Sequence, residues 1–163
     1  MVTPDPKLDL RDFLRSAVDG TAISVPFTPA DDIVVANYDV GPDWPEVAVV
    51  SADWVTFGGG QTGATAMDPT GAGAYQEGYY SVLVDCWGGP RDASTYATNG
   101  SDPDTVAEEL GQEVARATRA GEGGVSGYEF TYSEPPRDAN ATDANPTEYR
   151  RQVTVRLAYR YDP

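Results

Sequence analysis

At 163 residues the chain is long enough for a single domain with a sizeable buried core. It carries 26 acidic against 11 basic side chains, for a net charge of −15, with no histidine and one cysteine. Such a surface repels nucleic-acid phosphate and anionic membranes. Without histidine it lacks the commonest general base and metal ligand, and one cysteine forms neither an intrachain disulfide nor a cysteine-based zinc site.

Lys7 is the only lysine beside ten arginines, and Asp outnumbers Glu by 17 to 9. The acids are scattered over the whole length rather than gathered in a tail. This pattern reads as a hydrated carboxylate coat suited to high salt, where ions screen its self-repulsion. No run of 18 apolar residues and no basic-then-apolar leader is present, so the expected setting is a reducing cytoplasm.

The first predicted element is a helix of about four turns. Asp5 is a good N-cap and Pro6 suits the first helical position. Leu10, Phe13, Leu14, Ala17 and Val18 form one apolar stripe, and Gly20 is the expected stop. Prolines at 26, 29, 42 and 45 then punctuate the chain around a short strand, Ile33–Ala36, placed at an edge. Glu46–Phe57 reads as a strand with both faces partly covered. A Gly-, Ala- and Thr-rich loop spans about 58–78. Its GGGQTGAT lacks the Gly-Lys-Ser/Thr of a phosphate-binding loop, and the expectation is either a plain flexible loop or the tip of a long β-hairpin that orders only against a partner. Tyr79–Trp87 is the return strand, with Asp85 on its more polar face. An arginine of a neighbouring strand is expected to pair with Asp85, Arg151, Arg156 and Arg160 being the candidates.

After a polar loop, Ser101-Asp102-Pro103 opens a second helix. Val106, Leu110, Val114 and Ala117 form its buried stripe, while Glu108, Glu109, Glu113, Arg116 and Arg119 are expected on its outer face and Gly121 at its end. Gly127–Ser133 alternates as a strand, and a low-hydrophobicity loop covers about 133–146. Thr147–Tyr161 closes the chain with the clearest strand pattern. Tyr149, Arg151, Val153, Val155, Leu157, Tyr159 and Tyr161 share one parity; Arg150, Gln152, Thr154, Arg156, Ala158 and Arg160 share the other. The last two strands are predicted to form an antiparallel hairpin. The whole is read as one α+β domain over 1–163: a two-layer sandwich with a mostly antiparallel sheet of four to five strands and two amphipathic helices on one face.

No residue pattern points to catalysis. The pairs Asp31-Asp32, Glu108-Glu109 and Asp102-Asp104 lie on caps or outer faces. Asp138–Asp143 does not fit a calcium loop. Ser51, Ser81 and Ser94 have neither a nucleophile-elbow frame nor a histidine base. Cys86 reads as a small buried hydrophobe.

The order of elements, with PEVAVVS at Pro45–Ser51, GYYSVLVDCWG at Gly78–Gly88, DPDTVAEELGQEVARAT at Asp102–Thr118 and RRQVTVRLAYRY at Arg150–Tyr161, resembles the tail terminator or tail completion proteins of long-tailed viruses. The acid coat makes it look like one from a virus of halophilic archaea. The resemblance implies a two-layer α+β subunit that assembles as a ring, usually a hexamer, at the head-proximal end of the tail tube. Such a ring stops tube growth and meets the head-side connector or neck protein. It implies no catalysis and no cofactor, and a place in the virion neck after assembly in the host cytoplasm; that no nucleic-acid sequence recognition and no membrane partner are expected follows from the acidic charge. A head-to-tail ring needs two complementary patches per subunit. The expected pair is a basic strand face (Arg150, Arg156, Arg160) and an acidic helix face (Glu108, Glu109, Glu113). Gly59 and Gln61 at the hairpin tip join this contact set, and Trp44 and Tyr159 are expected to supply apolar affinity. Another head–tail connector, or a halophilic enzyme or small-molecule binding domain, fits the same residues.

Overall fold

Helix α1 (Pro6–Ala17) starts as its sequence predicts, with the Asp5 carboxylate accepting the Leu8 N–H at 3.2 Å and Pro6 in the first turn. This computed structural model describes residues 4–36, 44–56, 65–67, 74–120 and 124–161, with backbone alone at 65–67, 74–77, 120, 130–131 and 160–161. The helix stops before Gly20, because the Val18 backbone turns extended and Asp19 caps a separate 3-10 turn, Gly20–Ala22. Gly20 instead marks a close approach: a Cβ there would overlap the Phe27 carbonyl. A short α2 (Pro29–Asp32) leads into β1 (Ile33–Val35).

β1 runs parallel to β2 (Glu46–Thr56) and forms one edge of the sheet, as its brevity suggested. β2 pairs antiparallel with β4 (Ala74–Pro90), from Glu46↔Trp87 to Thr56↔Gly78. The connection between them therefore is a hairpin, but the loop expected over 58–78 is not wholly irregular. β3 (Thr65–Met67) lies within it and pairs with residues 74–76, so β4 begins five residues before Tyr79. Gln76 pairs with Thr65 on one side and Tyr161 on the other, so β3 continues the row of β2 beyond its last pair.

The polar loop after β4 contains a further helix, α3 (Ser94–Asn99), anchored by the buried Tyr96, whose hydroxyl donates to the Gly88 carbonyl. α4 (Pro103–Ala120) follows, with Asp102 accepting the Asp104 N–H at 2.8 Å. Its first turn rests directly on the sheet at Gly88, where a Cβ would overlap the Pro103 carbonyl. β5 (Phe130–Ser133), β6 (Arg137–Asp138) and β7 (Glu148–Tyr161) complete the sheet, whose order is β1-β2-β4-β7-β5 with β3 on β4 and β6 on β7.

The loop expected over 133–146 is largely a broken edge strand. Glu134, Ala139 and Ala141 donate backbone N–H groups to Thr154, Arg150 and Glu148 carbonyls. Pro135 and Pro136 interrupt the ladder because they have no N–H to give. Only residues 142–147 remain as the turn of a β5–β7 hairpin whose antiparallel pairing matches expectation.

Register decides which side chains meet the helices. Val47, Val49, Val82, Val84, Cys86, Val153, Val155 and Leu157 are fully buried on one face, under Leu10 and Leu14 of α1 and Val106, Leu110 and Val114 of α4. Each fully buried Val or Leu contributes about 1.5–3 kcal/mol, against about 0–1 kcal/mol for an exposed ion pair. The apolar parity of β7 therefore orients the strand, and its arginines go where that leaves them. The result is the expected two-layer α+β sandwich, with α1 and α4 on one face of a mostly antiparallel sheet. No described element packs on the other face.

Candidate functional site

The open face of the sheet is the surface that no described element covers, and it has a definite grain. A bulge between Val49 and Ser51 shifts the parity of β2. Ala52 and Trp54 then turn to the core, while Ser51, Asp53 and Val55 face outward opposite Leu83, Ser81 and Tyr79. β7 adds Ala158, Arg156, Thr154, Gln152 and Arg150 in the same rows, and β5 and β6 add Tyr132 and Arg137. One end is apolar: Val55 and Tyr132, at 36% and 43% exposed, are the exposed large hydrophobics of the described residues.

The other end is ionic and satisfied within the chain. Asp85 is buried on this uncovered face, with one carboxylate oxygen accepting from Arg150 at 3.1 Å and the other from Gln152 at 3.0 Å. Arg137 donates to Gln152 at 2.8 Å and extends the chain of bonds to the sheet edge. The Arg150 guanidinium stands 4.6 Å over the Trp87 ring, which itself packs on Trp44. The arginine that pairs with Asp85 is thus Arg150, not Arg151, Arg156 or Arg160. Gln152 stands opposite Asp85 and Arg150 is its diagonal neighbour on the same face, whereas Arg151 has the opposite parity. Arg156 lies farther along, bonded to Glu134 at 2.7 Å and stacked 5.1 Å over Tyr79. Arg160 stands opposite Glu77 in the register, and its side chain lies outside the described residues.

The helix-side acids are likewise engaged within the subunit. Arg151, whose side chain is 11% exposed, reaches Glu108 at 2.8 Å, Asp104 at 2.9 Å and Asp138 at 3.7 Å. These bonds tie α4, β6 and β7 together. Hydrogen bonds from Gln112, then Arg151, hold the Glu108 carboxyl below its ordinary range. Glu109 accepts the Ser24 N–H at 2.7 Å. Glu113, expected on the outer face, is buried: it pairs with Arg116 and accepts the Asp19 N–H at 2.9 Å. The chain leaving α1 crosses α4 at that point and turns an outward position into an interior one. A cleft of about 470 Å³ lined by Asp104, Glu108, Glu109, Gln112 and Arg151 remains beside α4.

The structure therefore brings Glu108 to Arg151 and Arg150 to Asp85, but does not bring the basic strand face to the acidic helix face, which point to opposite sides of the sheet. Trp44 packs over Gly89 and Trp87, and Tyr159 over Tyr80 and Tyr128. Gly59 and Gln61 lie outside the described residues. Sequence reasoning missed Asp53, Val55, Tyr132 and Glu134 as surface determinants. Alternation alone would have offered Tyr132, but the β2 bulge hid the facing of Asp53 and Val55. Among the described residues no group of three or more His, Cys, Asp or Glu stands close enough to hold a metal ion. No described helix is long and apolar enough to cross a membrane. No protein-family model matches the chain, and a search of curated proteins returns no match.

Proposed function

We propose that the chain is a non-enzymatic structural subunit of a virion, a tail terminator that forms a ring on the head-proximal end of the tail tube and joins it to the head-side connector. The observation that carries this reading is the two-layer subunit with one sheet face that no described element covers and a β3–β4–β7 ribbon running past the last β2 pair. An assembly subunit needs surface that its own fold does not consume, and here that surface is sheet. The element order that resembles tail terminators supports the same reading, and the acid coat fits a halophilic setting. The arginine stripe supplies less of the contact than its sequence suggests, since Arg150 and Arg156 already have carboxylates in their own subunit. Arg137 and Arg119 are better placed for a neighbour: both are exposed, and neither has a carboxylate partner among the described residues.

Light scattering and negative-stain imaging in molar salt test the proposal. The expected result is a closed ring of about six times the 17.4 kDa subunit mass that caps purified tail tubes. A strict monomer at all salt concentrations, with no affinity for tube ends, would sink it.

A further inference from the structure

We draw no further inference here: the strongest candidate, the cleft of about 470 Å³ beside α4 lined by Asp104, Glu108, Glu109, Gln112 and Arg151, is a cluster of carboxylates already bonded by Arg151, Gln112 and Ser24 of the same chain, and no second feature of it points to a ligand.

Discussion

Replacing Arg151 with Met tests how the sandwich is held together at its acidic end. Met keeps an unbranched stem where α4 comes close at Gly111, whose Cβ position lies 3.2 Å from the Arg151 Cβ, and removes only the guanidinium. That group sits 11% exposed among carboxylates of Asp104, Glu108 and Asp138 that are 44%, 48% and 67% exposed. A hydrogen bond to a charged group contributes about 1.5–3 kcal/mol, but an exposed pair only about 0–1 kcal/mol. With partners this wet, the three together come to about 2 kcal/mol, including the repulsion left among three unpaired acids. For a chain of this size that is a Tm drop of roughly 4–8 °C. Thermal unfolding followed by circular dichroism at pH 7 should show it. The effect has a defined pH sign. Glu108 is depressed in the folded state, first by Gln112 and then by Arg151. A depressed carboxylate contributes stability above its unfolded pKa and loses it as pH falls through the folded value. The deficit of the Met variant should therefore shrink once the pH drops below the ordinary 4.5 of a glutamate. A loss under about 0.5 kcal/mol at pH 7, far below the range for charged hydrogen bonds, or a deficit that grows at pH 4, would refute the clamp.

Glu113→Ala should cost about 1–3 kcal/mol, because it leaves the part-buried Asp19 N–H without its acceptor where the chain leaving α1 crosses α4, while the half-exposed Arg116 keeps the Ala17 carbonyl and turns to water; chemical denaturation should show a lower midpoint with unchanged slope. Cys86 is fully buried, and burial, followed by the nearby Asp85 charge, pushes its thiol pKa well up. The folded protein should therefore leave a thiol reagent unreacted at pH 8, while the guanidinium-unfolded chain titrates one thiol; a fast reaction in the native state contradicts this packing.

Much of the fold was legible because its signals are local. The stripe of α4 and the alternation of β7 are periodicities set by backbone geometry, and Asp5-Pro6 and Asp102-Pro103 place helix starts through caps three residues long. The facing of β7 was legible too, since Val153, Val155 and Leu157 outweigh anything on its other side. What the residues could not announce depends on contacts distant in sequence. The β2 bulge exists only in the register with β4, so the facing of Asp53 and Val55 had no local signature. Pro135-Pro136 removed the donors that would have marked residues 134–141 as an edge strand, and only the carbonyls of β7 reveal it.

The sequence by itself determined the class of fold, the two helices, the core parity of the last strand and the acid coat, because each follows from composition or from the repeat of a helix or strand. Tertiary structure decided the partners of the charges. Arg150 rather than its neighbours holds Asp85, Arg151 gathers the α4 acids, and Glu113 is interior, because an ion pair is made by whichever group the register and the crossing of α1 over α4 bring within about 3 Å. It also decided that no described element lies across the second face of the sheet, since a strand of alternating character records that it has two faces but not whether anything covers each of them.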